Sequence, residues 1–190
     1  KSERKILLNI IDSGKYKGYP RIYILALELI SKGAGSITEE NLIEFINDFQ
    51  RGDILSLDEI HQFSRYIVLG LMEWIGNISL NLIKIRHSWK MVDSWDLSED
   101  EKIERIIENL PSMEFREIER LAKRIREEKE DFQLILNRMN KKLDYVGRSV
   151  EKILENEYIN QSKYRVSLSY CITSLRKLSS LNWEKIFNSI

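Results

Sequence analysis

The sequence contains few of the residues that interrupt helices. Only two of its 190 residues are proline and eight are glycine. No Asn-Gly or Asp-Gly pair, the usual signal of a tight β-hairpin, occurs anywhere in the chain. Helix is therefore the expected structure along most of the sequence.

Cysteine and net charge are equally scarce. The one cysteine, Cys171, can form no disulfide within the chain and has no neighbouring cysteine or histidine, so we expect a reduced, buried side chain on a helix face. Lys and Arg together number 30, as do Asp and Glu, so no overall field attracts the chain to nucleic acid or to an anionic membrane surface. We expect no nucleic-acid partner, no metal and no cofactor.

Long hydrophobic runs are also missing. The best two, residues 22–30 and 67–72, are interrupted by Glu28 or ended by Glu73, and both fall short of the roughly 20 apolar residues that a transmembrane helix needs. We therefore predict no membrane span, and no signal peptide opens the chain. The chain begins with Lys1 and ends at Ile190 in a helical pattern, so we expect a piece of a longer protein.

The chain does contain apolar residues at helical spacing, with 43% hydrophobic and 32% charged residues. This pattern predicts an all-α fold, a multi-helix bundle with two or three long helices. We expect a single module over residues 1–190, with a sub-boundary near 92–113. The first predicted helix covers residues 3–12, the second follows Pro20 and the third is capped by Thr38. A long helix begins at the capping box Ser56–Glu59, and another helix begins at the capping box Ser98–Glu101. A further long helix covers 114–146, followed by a short helix that ends at Tyr158, a helix over 162–179 and a last helix capped by Asn182.

The candidate chemistry is sparse. Trp95 lies between Asp93 and Asp96 in a predicted loop, and an aromatic face flanked by carboxylates would form a platform for a sugar ring. The alternative is that the indole packs into the bundle as a loop anchor. No nucleophile–base pair and no pair of acids can be named, so we expect no catalytic residue in this chain.

Two stretches are more specific than composition. The first, Tyr19 to Leu29 (YPRIYILALEL), leads into Ile37–Leu42 (ITEENL) and then Phe45 to Gln50. The second, Ile172 to Trp183 (ITSLRKLSSLNW), precedes Phe187. In this order, with a long helical region between them, they resemble the amino-terminal part of cyclic β-1,2-glucan synthases, which are also filed among glycosyltransferase family thirty-six proteins. Asn182 stands where an aspartate is expected, and either residue caps a helix.

The resemblance implies a very large membrane-bound parent enzyme that polymerises glucose from UDP-glucose through β-1,2 linkages and cyclises the product. No transferase motif, membrane span or phosphorylase carboxylate maps onto these 190 residues. We therefore expect a non-catalytic accessory module on the cytoplasmic side, docked on the remainder of the parent chain, with contact to glucan or UDP-glucose left open. Tyr19, Arg21 and Arg176 are the candidates for docking or for orienting donor or glucan. The alternative is that both arginines cap or bridge neighbouring helices.

A function of another class stays open. A free-standing helical module would bind a partner protein through an exposed apolar face, without any transferase attached. The length of the parent reading frame separates this alternative from the accessory module.

Overall fold

In a computed structural model, which describes residues 8–189, the chain is all-α, as predicted. The described residues form eight α-helices and no strand, and the two long helices have 37 and 28 residues. Two short 3-10 turns cover Leu110–Ser112 and Leu178–Ser180. The helices are α1 (Arg21–Lys32), α2 (Glu39–Gln50), α3 (Leu57–Asp93), α4 (Asp100–Glu108), α5 (Phe115–Glu128), α6 (Phe132–Asp144), α7 (Val150–Lys177) and α8 (Trp183–Asn188).

The chain divides into two compact units. The first unit consists of Lys1–Ile78 together with Arg165–Ile190, and the second consists of Ser79–Tyr164. The dividing points fall inside α3 and α7, so these two helices contribute to both units. The predicted sub-boundary near 92–113 lies within the second unit.

The first unit packs α1, α2, α8 and parts of α3 and α7 around one apolar core. Its turn between α1 and α2 is tied to α7 by three hydrogen bonds. The Ser167 hydroxyl donates to the carbonyl of Ala34 at 2.7 Å, and the Ser174 hydroxyl donates to the carbonyl of Gly35 at 2.8 Å and accepts from the N–H of Ile37 at 2.8 Å. The two bonds of Ser174 are buried, and they satisfy backbone groups of Gly35 and Ile37 that would otherwise lack partners. The fully buried core side chains include Ile22, Ile30, Leu42, Ile46, Phe63, Ile67, Leu71 and Ile186.

The second unit has its own core, formed by α4, α5, α6 and parts of α3 and α7. Apolar residues at helical spacing supply it, and α5 is strongly amphipathic, with one buried stripe beneath a charged outer face. Cys171, in contrast, lies in the core of the first unit, where it is fully buried and forms no disulfide. The side chains buried deepest in the second unit include Val92, Ile103, Leu110, Ile118, Leu121, Ile125, Met139 and Leu143.

The predicted helix over residues 3–12 is wrong in its described part. Residues 8–12 are not helical, and Ile10 instead forms an isolated antiparallel bridge with Pro20. The N–H of Ile11 donates to the carbonyl of Tyr19 at 2.9 Å, and the N–H of Gly18 donates to the carbonyl of Ile11 at 2.8 Å. The intervening loop therefore brings the segment back along itself. Residues 3–7 of the predicted helix lie outside the described part of the chain.

Two helix boundaries also differ from the prediction. The long helix expected over 114–146 is two helices, α5 and α6, separated by residues 129–131. The six residues 126–131, which include the end of α5, are all charged and offer nothing apolar to the core. Lys129 between the two helices is extended. Conversely, the two helices expected up to Tyr158 and over 162–179 are one helix, α7, since no proline or glycine interrupts it.

The prediction that no segment could span a membrane overlooked the apolar composition of α3. Within the described residues, α3 is long and apolar enough to cross a membrane, because Glu73 is the only charged residue between Arg65 and Lys84. Only 22% of its most apolar stretch is buried. α3 also supplies Ile67 and Leu71 to the core of the first unit.

Candidate functional site

Arg21, at the start of α1, lies at the centre of the most connected polar group in the first unit. Its Nε donates to Glu59 Oε1 at 2.7 Å and its Nη2 to Glu59 Oε2 at 2.8 Å, which makes a bidentate ion pair. Nη2 also donates to the carbonyl of Ile54 at 2.7 Å, and Nη1 donates to Asp53. Each guanidinium nitrogen of Arg21 is therefore already bonded within the chain. This geometry favours the bridging role over contact with a ligand.

Glu59 is fully buried and lies in the capping box that begins α3. The predicted reciprocal bonds are present: the N–H of Glu59 donates to the Ser56 hydroxyl at 3.3 Å, and the N–H of Ser56 donates to Glu59 Oε2 at 2.8 Å. Burial alone would raise the pKa of Glu59, but hydrogen bonds from Arg21 and Ser56, with the Arg21 charge, lower it to about 2. Sequence reasoning found the cap and missed the ion pair, because Arg21 is 38 residues away.

The lowered pKa of Glu59 predicts an acid-sensitive stability. The contribution of ionised Glu59 to the free energy of unfolding is complete above the unfolded-state pKa near 4.5. This contribution is lost as the pH falls towards the folded-state pKa of about 2. We expect urea unfolding to show a loss of about 2 kcal/mol from this group between about pH 6 and pH 3. Glu59→Gln should lack that part of the pH dependence. Parallel pH profiles for the two proteins would contradict the assignment.

Tyr19 lies beside this group and is half exposed. Its ring stacks on Tyr23 with 5.6 Å between centroids and meets Tyr16 edge-on at 6.4 Å. Tyr23 is buried and donates its hydroxyl hydrogen bond to Glu73; burial, followed by that bond and charge, raises the pKa of Tyr23 to about 12. Tyr19 therefore lies between Tyr16 and Tyr23 with about half of its side chain exposed to solvent.

Arg176, near the end of α7, is exposed. Among residues 8–189 its side chain has no hydrogen bond or ion pair, unlike Arg21. It belongs to the first unit with Tyr19 and Arg21, but no hydrogen bond, ion pair or ring contact joins it to either of them.

Trp95 lies in the second unit and combines features of both interpretations. Its ring packs partly against the apolar core, and its carbonyl accepts from Arg124 Nη1 at 3.0 Å, as a loop anchor would. It also lines a shallow groove with Asp96 and Lys102. Both neighbouring carboxylates are engaged, because Lys102 donates to Asp96 at 2.7 Å and Arg120 donates to Asp93 at 2.6 Å. The bond from Lys102, then those from Ser98, hold the pKa of Asp96 well below its usual range.

No model of a known protein family matches the chain, and no curated protein is similar enough to be a relative. Within residues 8–189, no three histidine, cysteine, aspartate or glutamate side chains lie together as metal ligands would.

A second concave site, which sequence reasoning missed, lies within the second unit. It is a cleft of about 410 Å³ between α3, the start of α5, the turn before α7, and α7 itself. No local motif marks it, because its residues come from four separate segments. Its polar lining consists of Asn81, Glu114, Arg116, Arg148, Glu157, Asn160 and Tyr164.

Proposed function

We propose that this chain is a non-catalytic helical accessory module of a glycosyltransferase that makes β-1,2-glucan from UDP-glucose. The module docks on the remainder of the parent chain, on the cytoplasmic side of the membrane. The resemblance of Tyr19–Leu29 and Ile172–Trp183 supports the parent enzyme. The observation that supports docking is an exposed apolar face on α3 within the first unit.

This face consists of Val68, Leu69, Met72 and Gly76, hereafter the α3 face. Leu69 is 51% exposed and Met72 is 60% exposed, whereas Ile67 and Leu71 on the opposite side are fully buried. Positions 69, 72 and 76 recur at the three- and four-residue steps that place side chains on one side of a helix. A helix that buries one apolar stripe in its own core and exposes another has a surface suited to a second helix or a groove.

Gly76 has no packing reason among the described residues 8–189. A Cβ at this position would meet no atom within 4 Å, and the residue lies inside a helix, where glycine is less favourable than alanine by about 0.5–1 kcal/mol. Gly70, by contrast, lies against Ile30, whose Cδ1 would be 2.7 Å from an added Cβ. A glycine that faces open space lets another backbone approach the helix closely. Gly76 therefore supports docking of a partner segment on this side of α3.

The residues predicted to dock or to orient a ligand differ in how freely their side chains can contact a partner. Arg176 and Tyr19 are exposed and remain candidates for docking or for orienting glucan or donor, whereas Arg21 is fully engaged in its ion pair. The groove beside Trp95 remains a candidate sugar platform. In none of these places does a base lie beside a nucleophile, and this supports an accessory role rather than a catalytic one.

The test uses the full-length parent enzyme in membranes supplied with labelled UDP-glucose. We expect Met72→Asp to lower glucan synthesis at least about fivefold, because a charge on the docking face must be desolvated. The unfolding free energy of the 190-residue chain should change by less than about 0.5 kcal/mol, since Met72 is exposed. Gly76→Ala should lower synthesis while stabilising the chain alone.

Leu57→Asp is the matched control. Leu57 is also apolar, is 62% exposed and lies on α3, but in its first turn, where an acid interacts favourably with the helix dipole. Synthesis should be unchanged by this variant. Equal effects of Met72→Asp and Leu57→Asp would overturn the docking face, and membranes that form no glucan from UDP-glucose would overturn the transferase. A parent reading frame no longer than this chain would favour the free-standing interaction module.

A further inference from the structure

The cleft of the second unit has the features of a small-molecule site. We propose that it binds a neutral polyhydroxylated ring, such as a pyranoside, between the start of α5 and α7. Every group that lines the cleft belongs to the second unit, so the site does not depend on whether the parent protein is a glucan synthase.

The cleft is held open by fixed backbone on two sides. Glu114 caps α5, and its N–H donates to Glu117 Oε2 at 3.0 Å. On the other side, Gly147 has φ 67°, which lets the N–H of Arg148 donate back to the carbonyl of Leu143 at 3.1 Å in a Schellman-type closure of α6. The start of α5 and Arg148 are therefore positioned before any ligand arrives. A preformed site loses less ordering entropy on binding than a flexible one.

The charge of the lining is balanced. Two arginines, Arg116 and Arg148, face two glutamates, Glu114 and Glu157. Arg116 Nε is 2.7 Å from Glu114 Oε2, so one pair is already formed. A net anion would meet two carboxylates as well as two guanidinium groups, and a net cation likewise, so attraction and repulsion offset and neither charge is favoured. A neutral ligand meets no such repulsion.

The remaining polar groups offer both donors and acceptors. Asn81, Asn160 and Tyr164 have no hydrogen bond to protein through their side chains in the part of the chain that the structure describes. A carboxamide donates and accepts, and a phenol does likewise, so the three groups match vicinal hydroxyls, which also do both. Glu157 adds a half-buried acceptor; burial, then the nearby charge of Glu119, raises the pKa of Glu157.

Aromatic surface completes the site. Phe115 is 39% exposed at the cleft, and the guanidinium of Arg148 lies over its ring with 4.9 Å to the centroid. Tyr164 supplies a second ring from α7. The C–H face of a sugar ring packs on such apolar planes, while its hydroxyls reach the polar rim. The volume of about 410 Å³ lies in the range of small-molecule sites, roughly 300–1,000 Å³.

The experiment is an amide NMR titration of the labelled 190-residue chain with methyl β-D-glucopyranoside, then with a neutral disaccharide. We expect saturable shifts at Arg148, Glu157 and Asn160, with a Kd of about 1–10 mM. Asn160→Ala should weaken binding about fivefold, the effect of one lost hydrogen bond. Asn156→Ala is the matched control, because Asn156 is exposed on the same helix, one turn earlier, and lies outside the cleft lining.

Glucuronate and glucosamine serve as charged probes of the same size. We expect neither to bind more tightly than the neutral glycoside. An absence of shifts at about 50 mM, shifts confined to other surfaces, or equal effects of the two asparagine variants would overturn the proposal. Binding of glucuronate about tenfold more tightly than the glycoside would also overturn it, because the cleft would then be an anion site. Preserved dispersion in the spectra of both variants shows that each is folded.

Discussion

Gly35→Ala should destabilise the first unit by about 3–5 kcal/mol, although the substitution only adds a methyl group and removes no contact. Gly35 has φ 93°, a conformation that strains any residue with a Cβ. The added carbon would also lie 2.3 Å from Cys171 Sγ, 3.1 Å from the backbone oxygen of Ser167 and 3.3 Å from the backbone nitrogen of Cys171. Backbone atoms of a packed helix cannot move aside as a flexible side chain does.

The measurement is chemical unfolding of the wild type and the variant under the same conditions. Gly76→Ala is the control, since it makes the same chemical change within a helix and in open space. It should stabilise the chain by about 0.5–1 kcal/mol. Opposite signs for the two substitutions are the expected result. A loss below about 1 kcal/mol for Gly35→Ala would show that the turn is not held against α7 as described.

A double variant separates the two causes of the loss. In Gly35→Ala with Cys171→Ala, the sulfur that the new methyl group overlaps is gone, while the strained φ and the backbone contacts persist. The combined change should therefore be smaller than the sum of the single changes by at least about 1 kcal/mol. Additive effects would assign the whole loss to the backbone.

The parts of the fold that depend on local chemistry could be predicted from the sequence. Thr38 caps α2, Ser56 and Glu59 form their box, and Asn182 accepts from the N–H of Lys185 at 2.9 Å, all within three residues of chain. The capping box expected from Ser98 to Glu101 failed for an equally local reason. Asp96 accepts from the N–H of Ser98 at 2.9 Å, and α4 begins after Glu99 without a side-chain cap.

Helix length depended on what the core accepts. The charged residues 126–131 fit a helix by propensity, yet nothing apolar holds them to the core, so α5 ends and α6 packs back. In α7, Gln161 lies in the gap between the two helices expected from the sequence, and it is buried and donates to Glu119 at 2.8 Å. A buried acceptor 42 residues away is invisible to periodicity. The helix therefore continues where the sequence suggested a break.

The candidate sites depend on contacts between residues that are distant in the sequence. Sequence reasoning identified single residues of these sites but not their hydrogen-bond partners. It singled out Arg21 but not Glu59 as its partner, and Trp95 but not the bonds that engage both neighbouring carboxylates. The cleft of the second unit gave no signal, because Asn81 and Tyr164 lie 83 positions apart in the numbering and neither belongs to a motif. Such sites are defined by packing, which a single sequence does not display.

Arg21→Ala should destabilise the chain by about 3–5 kcal/mol, because it leaves the fully buried carboxylate of Glu59 without its cation. The bonds from Asn9 and from the N–H of Ser56 remain, but neither group carries charge. The measurement is again the free energy of unfolding in urea, at about pH 7, where Glu59 is ionised. Arg51→Ala is the control, since the Arg51–Asp48 pair is exposed and should contribute less than about 0.5 kcal/mol.

The second half of this test uses Glu59→Gln in the Arg21→Ala background. Removing the stranded charge should recover at least about 1 kcal/mol, because an unpaired amide is less costly to bury than an unpaired carboxylate. Such recovery identifies Arg21 as a bridge between α1 and α3, and any loss of activity of the proposed parent enzyme in Arg21→Ala then follows from lost stability. If Arg21→Ala instead left the chain as stable as the wild type while abolishing glucan synthesis, Arg21 would be a docking or ligand-binding residue and the ion pair incidental.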